Sequence, residues 1–291
     1  MTRTVNRVTV LQMSPGQDKR ANIADAERLI AAAVAADRPD FVALPEVWSC
    51  LGGSRETKLS QAELLPPVGA GAGDAAYEAL RNAALRHRVV IHGGSIIERV
   101  GDRMFNTTVA FGPDGAELAR YRKLHLFDIV TPDGTGYRES DSFGRGDEVV
   151  GYLAGGLPVG CTICYDLRFF ELFLALRERG AELIVTPSAF TVPTGRDHWE
   201  TLLRARAIDT QCWIAAPATV GAHKDAVGGT RMTWGHAMIC NPWGDVVAEV
   251  GEGVGWATAE IDHAMTQRLR RDMPVMAHRR FPTITSPVGD V

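Results

Sequence analysis

The chain has 291 residues, 45% hydrophobic and 23% charged, with a formal net charge of −4. That balance is ordinary for a globular protein, and the missing positive field argues against a nucleic-acid or polybasic membrane role. Five cysteines form an odd and sparse set, which argues against a disulfide framework and for reduced thiols in a cytoplasmic setting.

The chain starts MTRTVNRVTVLQMSP and moves at once into an alternating strand over 4–12, without the apolar core of a signal peptide. Residues 18–37 carry Ile23, Ala26, Ile30, Ala33 and Val34 on one helical face. Arg38-Pro39 stops that helix, because proline disfavours helix in the residue before it. FVAL (41–44) reads as a short buried strand closed by Pro45-Glu46. Residues 47–72 are irregular, rich in Gly and Pro, and long enough to be a functional loop. A helix fits 74–88, followed by strands over 89–97, 104–112 and 115–123. Gly101-Asp102 and Asp114-Gly115 supply hairpin turns between them. Residues 124–147 form a second long polar loop.

Strands follow near 148–153 and 157–163, then a helix from about 168 to 179 and a strand LIVT (183–186) closed by Pro187. The charge-free run Val149–Tyr165 contains four glycines and a proline, so it reads as strand, turn, strand and not as a membrane span. A helix over 197–210 leads to the strand WIAAP (213–217) and a loop over 221–235 rich in glycine and charge. Strands HAMIC, VVAEV and GWATAEI and a helix from near His263 complete the pattern. The hairpins demand antiparallel neighbours, so a two-sheet α/β protein with outer helices fits better than simple βαβ alternation. No composition break marks a linker, which predicts a single domain over 1–291 with an extended tail from about 273.

The segment GCTICYDLRFFE (160–171) holds two cysteines three apart. A redox pair wants both sulfurs near a helix N-terminus, where the dipole favours thiolate. Cys161 instead falls inside a strand and reads as a small apolar packing residue. A zinc site needs two more ligands at recognisable spacing, and no second CxxC or HxxxH is present. Cys164 ends the strand just before a helix, where a sharp turn exposes a nucleophile. Taken alone, a buried structural thiol explains it equally well. None of the eight histidines is marked by spacing as its base. Glu46 and Lys123, like Cys164, close strands, and ligands of open α/β sheets lie outside strand carboxyl ends. A carboxylate, an ammonium and a thiol at three strand ends can share one crevice, although each alone also reads as an ordinary surface or packing group. No Walker loop and no GxSxG is present, so nucleotide and serine-hydrolase readings lose support.

Three segments, LPEVW (44–48), YRKLHLFD (121–128) and GCTICYDLRFFE, together resemble the nitrilase, or carbon–nitrogen hydrolase, superfamily. The resemblance continues through PSAF (187–190), HWETLLRARA (198–207), WGHAMICNPWG (234–244) and MPVMAHRRFP, and so covers essentially the whole chain. It implies a four-layer α-β-β-α sandwich within the α/β class, a homodimer or larger homo-oligomer, and no metal or organic cofactor. It implies Glu46 as general base, Lys123 as transition-state stabiliser, Cys164 as nucleophile and Glu139 as a supporting second glutamate. A bland alternative leaves Glu139 as a loop carboxylate paired with Arg138 or Arg145. The resemblance adds the backbone N–H of Tyr165 as oxyanion donor, and Arg168, Phe190 and His125 as substrate contacts. Phe170 departs from the family, in which proline often stands there.

Cys164-Tyr165-Asp166-Leu167-Arg168-Phe169 is unlike the Cys-Trp-Glu of true nitrilases and is similar to the branch of ω-amidase and deaminated-glutathione amidase. In that branch the arginine matching Arg168 binds a substrate carboxylate, a task suited to a bidentate guanidinium. Pairing of Arg168 with Asp166 or Glu171 is the structural alternative. The expected activity is hydrolysis of a terminal amide on a small carboxylate-bearing molecule, through a thioester. Hydrolysis of N-carbamoyl amino acids or aliphatic amides, a catalytically idle scaffold, and a CxxC redox protein are the competing readings. Neither a nucleic acid nor a membrane is an expected partner.

Overall fold

The computed structural model describes residues 5–69, 72–131, 134–224 and 229–280. Two large sheets form its centre, one of ten strands and one of six. In the first sheet, Arg7–Met13, Phe41–Ala43 and Val90–His92 run parallel, with the helices Lys19–Asp37 and Ala75–His87 in the crossovers. In the second, Leu157–Cys161, Leu183–Val185 and Trp213–Ala216 run parallel, with the helices Phe170–Glu178 and Val192–Thr210 between them. Antiparallel strands extend both sheets, as the turn chemistry demands.

Strand alternation explains the layering. Val8, Val10, Phe41 and Ala43 share one core with Val159, Cys161, Leu183 and Val185 of the other sheet. Leu11, Met13, Val42 and Leu44 point the opposite way, onto Leu29, Ile30 and Leu80 of the first pair of helices. Residues buried on both faces read as short apolar runs, not as alternating patterns. The order is helix, sheet, sheet, helix: an α-β-β-α sandwich. Among the described residues, no helix is long and apolar enough to cross a membrane.

The structure corrects several element expectations. The run 47–72 contains a helix, Arg55–Gln61, whose Ser54 side chain accepts from the Thr57 N–H. It is short and polar, so it leaves no apolar period to read. The run 89–97 breaks into Val90–His92 and Ile96–Val100. The supposed loop 221–235 is largely a hairpin, Ala218–Lys224 paired with Thr230–Trp234, with residues 225–228 outside the described set. Residues 124–147 hold a two-stranded ribbon, Asp128–Val130 with Gly136–Arg138, and a single 3-10 turn, Glu139–Asp141. The helix expected from 197 starts at Val192, because Pro193 occupies its first turn, where a missing N–H costs nothing. The expected extended tail is helical over Val275–His278, and 281–291 lies outside the described residues.

Candidate active site

Three strand ends deliver the expected residues to one cavity of about 190 Å³, whose lining includes Glu46, Lys123, Glu139, Cys164 and Tyr165. Glu46 follows Phe41–Ala43 and is 4% exposed. Its position is set by the turn Gly93-Gly94-Ser95. The Ser95 N–H donates to the Pro45 carbonyl (3.1 Å), the Val47 N–H donates to Ser95 Oγ (2.9 Å), and Trp48 Nε1 donates to the Gly93 carbonyl (2.8 Å). Gly94 has φ +60°, and a Cβ there would lie 2.0 Å from the Pro45 oxygen. Only glycine permits that approach.

Lys123 follows Glu117–Arg122 and is 2% exposed. Its ammonium donates to Glu46 Oε1 at 2.9 Å and to Glu139 Oε2 at 2.8 Å. Glu139 therefore pairs with Lys123, not with Arg138 or Arg145, and it also accepts from the Phe127 N–H at 2.7 Å. Burial works against the charge on Lys123, but the Glu139 and Glu46 carboxylates outweigh it and raise the ammonium well above its ordinary value. The cluster holds a cation between two carboxylates.

Cys164 follows Leu157–Cys161 and begins a 3-10 turn, Cys164–Arg168. Its φ is +50°, in the left-handed region, and Val47 next to Glu46 has φ +42°. Two non-glycine residues in that region flank the same cavity, and strain of this kind gathers at functional sites. The turn is held by Asp166, fully buried, which accepts from the Ile163 N–H (2.8 Å), Tyr121 Oη (2.7 Å) and the His125 N–H (3.0 Å). Tyr165 follows the sulfur, and N–H groups in a first turn have no intrahelical carbonyl to bond.

Burial dominates the state of the thiol. Lys123 does pull the Cys164 pKa down, but burial and the Glu46 charge push it up further, so the resting sulfur keeps its proton. Glu46 lines the same cavity as that thiol, and its charge is among the causes that raise it. Cys161 packs in the core at 0% exposure, and burial raises its thiol as well. Such a sulfur is ill suited to a redox pair.

Of the expected substrate contacts, Phe190 lines the cavity, whereas Arg168 and His125 do not. The Arg168 guanidinium lies 5.9 Å from the Tyr165 ring centroid and 5.7 Å from that of Phe190, and it reaches His198 Nδ1 at 3.3 Å. Its partner is neither Asp166 nor Glu171. His125 stacks on Phe169 at 3.7 Å between centroids and bonds Asp166 Oδ1 through Nδ1 at 2.7 Å. It braces the nucleophile turn.

Other residues at the site are silent in the sequence. Asn106 Nδ2 donates to Glu46 Oε1 at 2.9 Å and to Glu139 Oε1 at 3.3 Å, joining the two carboxylates. It lies inside the strand Arg103–Phe111, where one polar residue among alternating positions carries no signal. The Ala189 N–H donates to Glu46 Oε2 at 2.9 Å, and a backbone donor has no signature at all. Lys58 and Arg231 also line the cavity, both from segments that read as loops. The arrangement places a thiol, two carboxylates, a fixed cation and an aromatic wall around one cavity, groups whose chemistry suits acyl transfer.

Residues 7–271 match the carbon-nitrogen hydrolase family. A deaminated glutathione amidase of Synechocystis is 39% identical over 276 residues, covering 93% of this chain and 97% of that protein. Omega-amidase NIT2 of Bos taurus is 34% identical over 274 residues, covering 94% and 95%. The crystal structure of the C. elegans NitFhit protein superposes with a TM-score of 0.84 at 34% identity, covering 96% of this chain and 66% of that longer one. Saccharomyces cerevisiae Nit3, a member of branch 10 of the nitrilase superfamily, gives the same TM-score at 28% identity. The chain belongs to the carbon-nitrogen hydrolase family.

Proposed function

We propose that this hydrolase is a cysteine-dependent amidase that converts the terminal amide of a small carboxylate-bearing molecule, of the ω-amide or deaminated-glutathione type, to acid and ammonia. The observation that carries the reading is Cys164 sharing one cavity with Glu46, Lys123 and Glu139, with Lys123 bonded to both carboxylates. Relatives named for these two amidase activities support the substrate class.

The sulfur attacks the amide carbonyl as its proton passes to Glu46. The carbonyl oxygen becomes an oxyanion, met by the Lys123 ammonium and the Tyr165 N–H. One such donor is worth roughly 3–4 kcal/mol in the transition state. The tetrahedral intermediate collapses as Glu46 gives the proton to the leaving nitrogen, and ammonia departs. The thioester on Cys164 is then hydrolysed by a water that gives its proton to Glu46. That proton returns to sulfur as the acid leaves. Glu139 and Asn106 keep Lys123 and Glu46 in register throughout. The reading includes a cytoplasmic protein, consistent with five buried unpaired cysteines, and a homodimer or larger assembly.

Ammonia release across ω-amides of 2-oxo acids, deaminated glutathione, N-carbamoyl amino acids, aliphatic amides and nitriles tests it. Preferred turnover of the carboxylate-bearing amides is the expected result. Preference for nitriles or carbamoyl compounds, or no ammonia from any member, contradicts it.

A further inference from the structure

Lys58 and Arg231 have no part in the chemistry above, yet both line the catalytic cavity. Their surroundings are unusual for cations. Among the described residues neither forms an ion pair with a carboxylate. Arg231 Nη2 donates to the Ala189 carbonyl at 2.6 Å, its guanidinium lies 5.5 Å from the Tyr137 ring centroid, and its buried Nε has no hydrogen-bond partner. The Lys58 ammonium lies 5.9 Å from the Phe143 ring centroid. Both residues are half-buried, and a cation held partly out of water with no carboxylate beside it carries a desolvation cost. The two charges also act on each other. Burial first, and then the Arg231 charge, lower the Lys58 pKa, against the pull of Glu139. Like charges facing one space store a cost that an anion removes.

A second cavity of about 600 Å³ adjoins the first, and the two share Leu51, Gly52, Lys58, Tyr137 and Arg231. The two cations therefore stand at the junction. The catalytic carboxylates are already occupied, Glu46 and Glu139 by Lys123 and Asn106. An incoming carboxylate is the group that completes the balance.

Resting on the amidase reading, we infer that Lys58 and Arg231 form the subsite that takes the substrate's carboxylate, at the lining that the two cavities share. The ammonium supplies a point charge and the guanidinium a planar fork with a free donor. The substrate class is a monoamide of a short dicarboxylic acid, held with its amide at Cys164 and its carboxylate at the junction. Substituents on the carboxylate-bearing carbon extend into the second cavity. Arg168, outside the lining, is not the anchor.

The test is calorimetric binding of glutaric monoamide and of neutral pentanamide to the Cys164→Ala protein, which binds without turning over. Adding Lys58→Met or Arg231→Gln weakens the monoamide about tenfold each, the loss expected for one charge-assisted hydrogen bond. Pentanamide binding stays unchanged and reports an intact cavity. Lys58→Arg restores most of the monoamide affinity. Where Arg231→Gln disturbs the fold through Ala189, pentanamide binding falls too, and Lys58→Met decides. Unchanged monoamide affinity in Lys58→Met, a loss confined to Arg168→Ala, or no monoamide binding at all overturns the inference. Failure of the amidase reading is a separate result: no ammonia from either amide with the unsubstituted enzyme.

Discussion

Lys123 is an ammonium between two carboxylates, so its removal has two separable effects. Lys123→Met takes away the fixed cation at the oxyanion, and kcat falls by about 10²–10³. It also leaves Glu46 and Glu139 facing each other in a buried site, bridged only by Asn106. Two carboxylates left together in such a site repel, which costs stability. Urea unfolding measures this second effect; a loss of about 3–5 kcal/mol is expected for breaking a buried pair. A variant with full stability contradicts the role given to the cluster. Asn106→Asp adds a third acid beside those two and abolishes turnover, read as ammonia release, without removing any group that touches the amide. That Glu46, Lys123 and Cys164 share one cavity was legible through the resemblance, with which their places at strand ends agree, although each alone also read as a surface or packing group. Asn106 and the Ala189 N–H were not, since a mid-strand amide and a backbone donor look the same wherever they occur. Lys58 and Arg231 were hidden for a different reason: each sits on a short element with no apolar period.

Individual elements position chemistry through close backbone contacts. The Gly93-Gly94-Ser95 turn sits behind Glu46, and Gly94 combines φ +60° with an approach of 2.0 Å from a Cβ position to the Pro45 oxygen. Gly94→Ala therefore costs about 3 kcal/mol, the sum of a left-handed backbone penalty and local overpacking. Urea unfolding measures the stability loss, and ammonia release shows kcat falling with it as Glu46 shifts. Loss of less than about 1 kcal/mol contradicts the clamp. A continuous strand over 89–97 was the natural reading of VVIHGGSII, and the turn inside it is visible only once Pro45 is in contact. The same holds for the nucleophile turn. Its φ of +50° at Cys164 is supported by Asp166, whose partners Tyr121 and His125 come from a distant stretch of the chain.

At the scale of the molecule, the two sheets are joined by polar as well as apolar contacts. His92 of the first sheet bonds Tyr152 Oη of the second at 2.9 Å, and both side chains lie in the core between the sheets. Burial lowers the His92 pKa from 6.5 to about 3. Between those values the unfolded chain binds a proton that the native imidazole refuses. This contribution to stability is complete above the ordinary histidine range and is lost as pH falls, by about 1.4 kcal/mol per unit until the native value is reached. His92→Gln flattens the unfolding free energy between about pH 6 and about pH 4 relative to the parent protein. Equal slopes contradict this source of acid sensitivity. The layer order was legible from paired strands with few helices, because two-sided burial leaves its mark on FVAL and LIVT. The hairpin beyond Ala218 was not, because its strands carry glycine and charge on a half-exposed ribbon.

The central claim is that Cys164 carries the acyl group. Rapid acid quenching during turnover of glutaric monoamide, followed by peptide mass spectrometry, tests it directly. The account predicts the acyl mass on the peptide containing Cys164, on that sulfur, and its disappearance in Cys164→Ala. Acylation at Cys50, Cys161, Cys212 or Cys240, or continued ammonia release from Cys164→Ala, contradicts it.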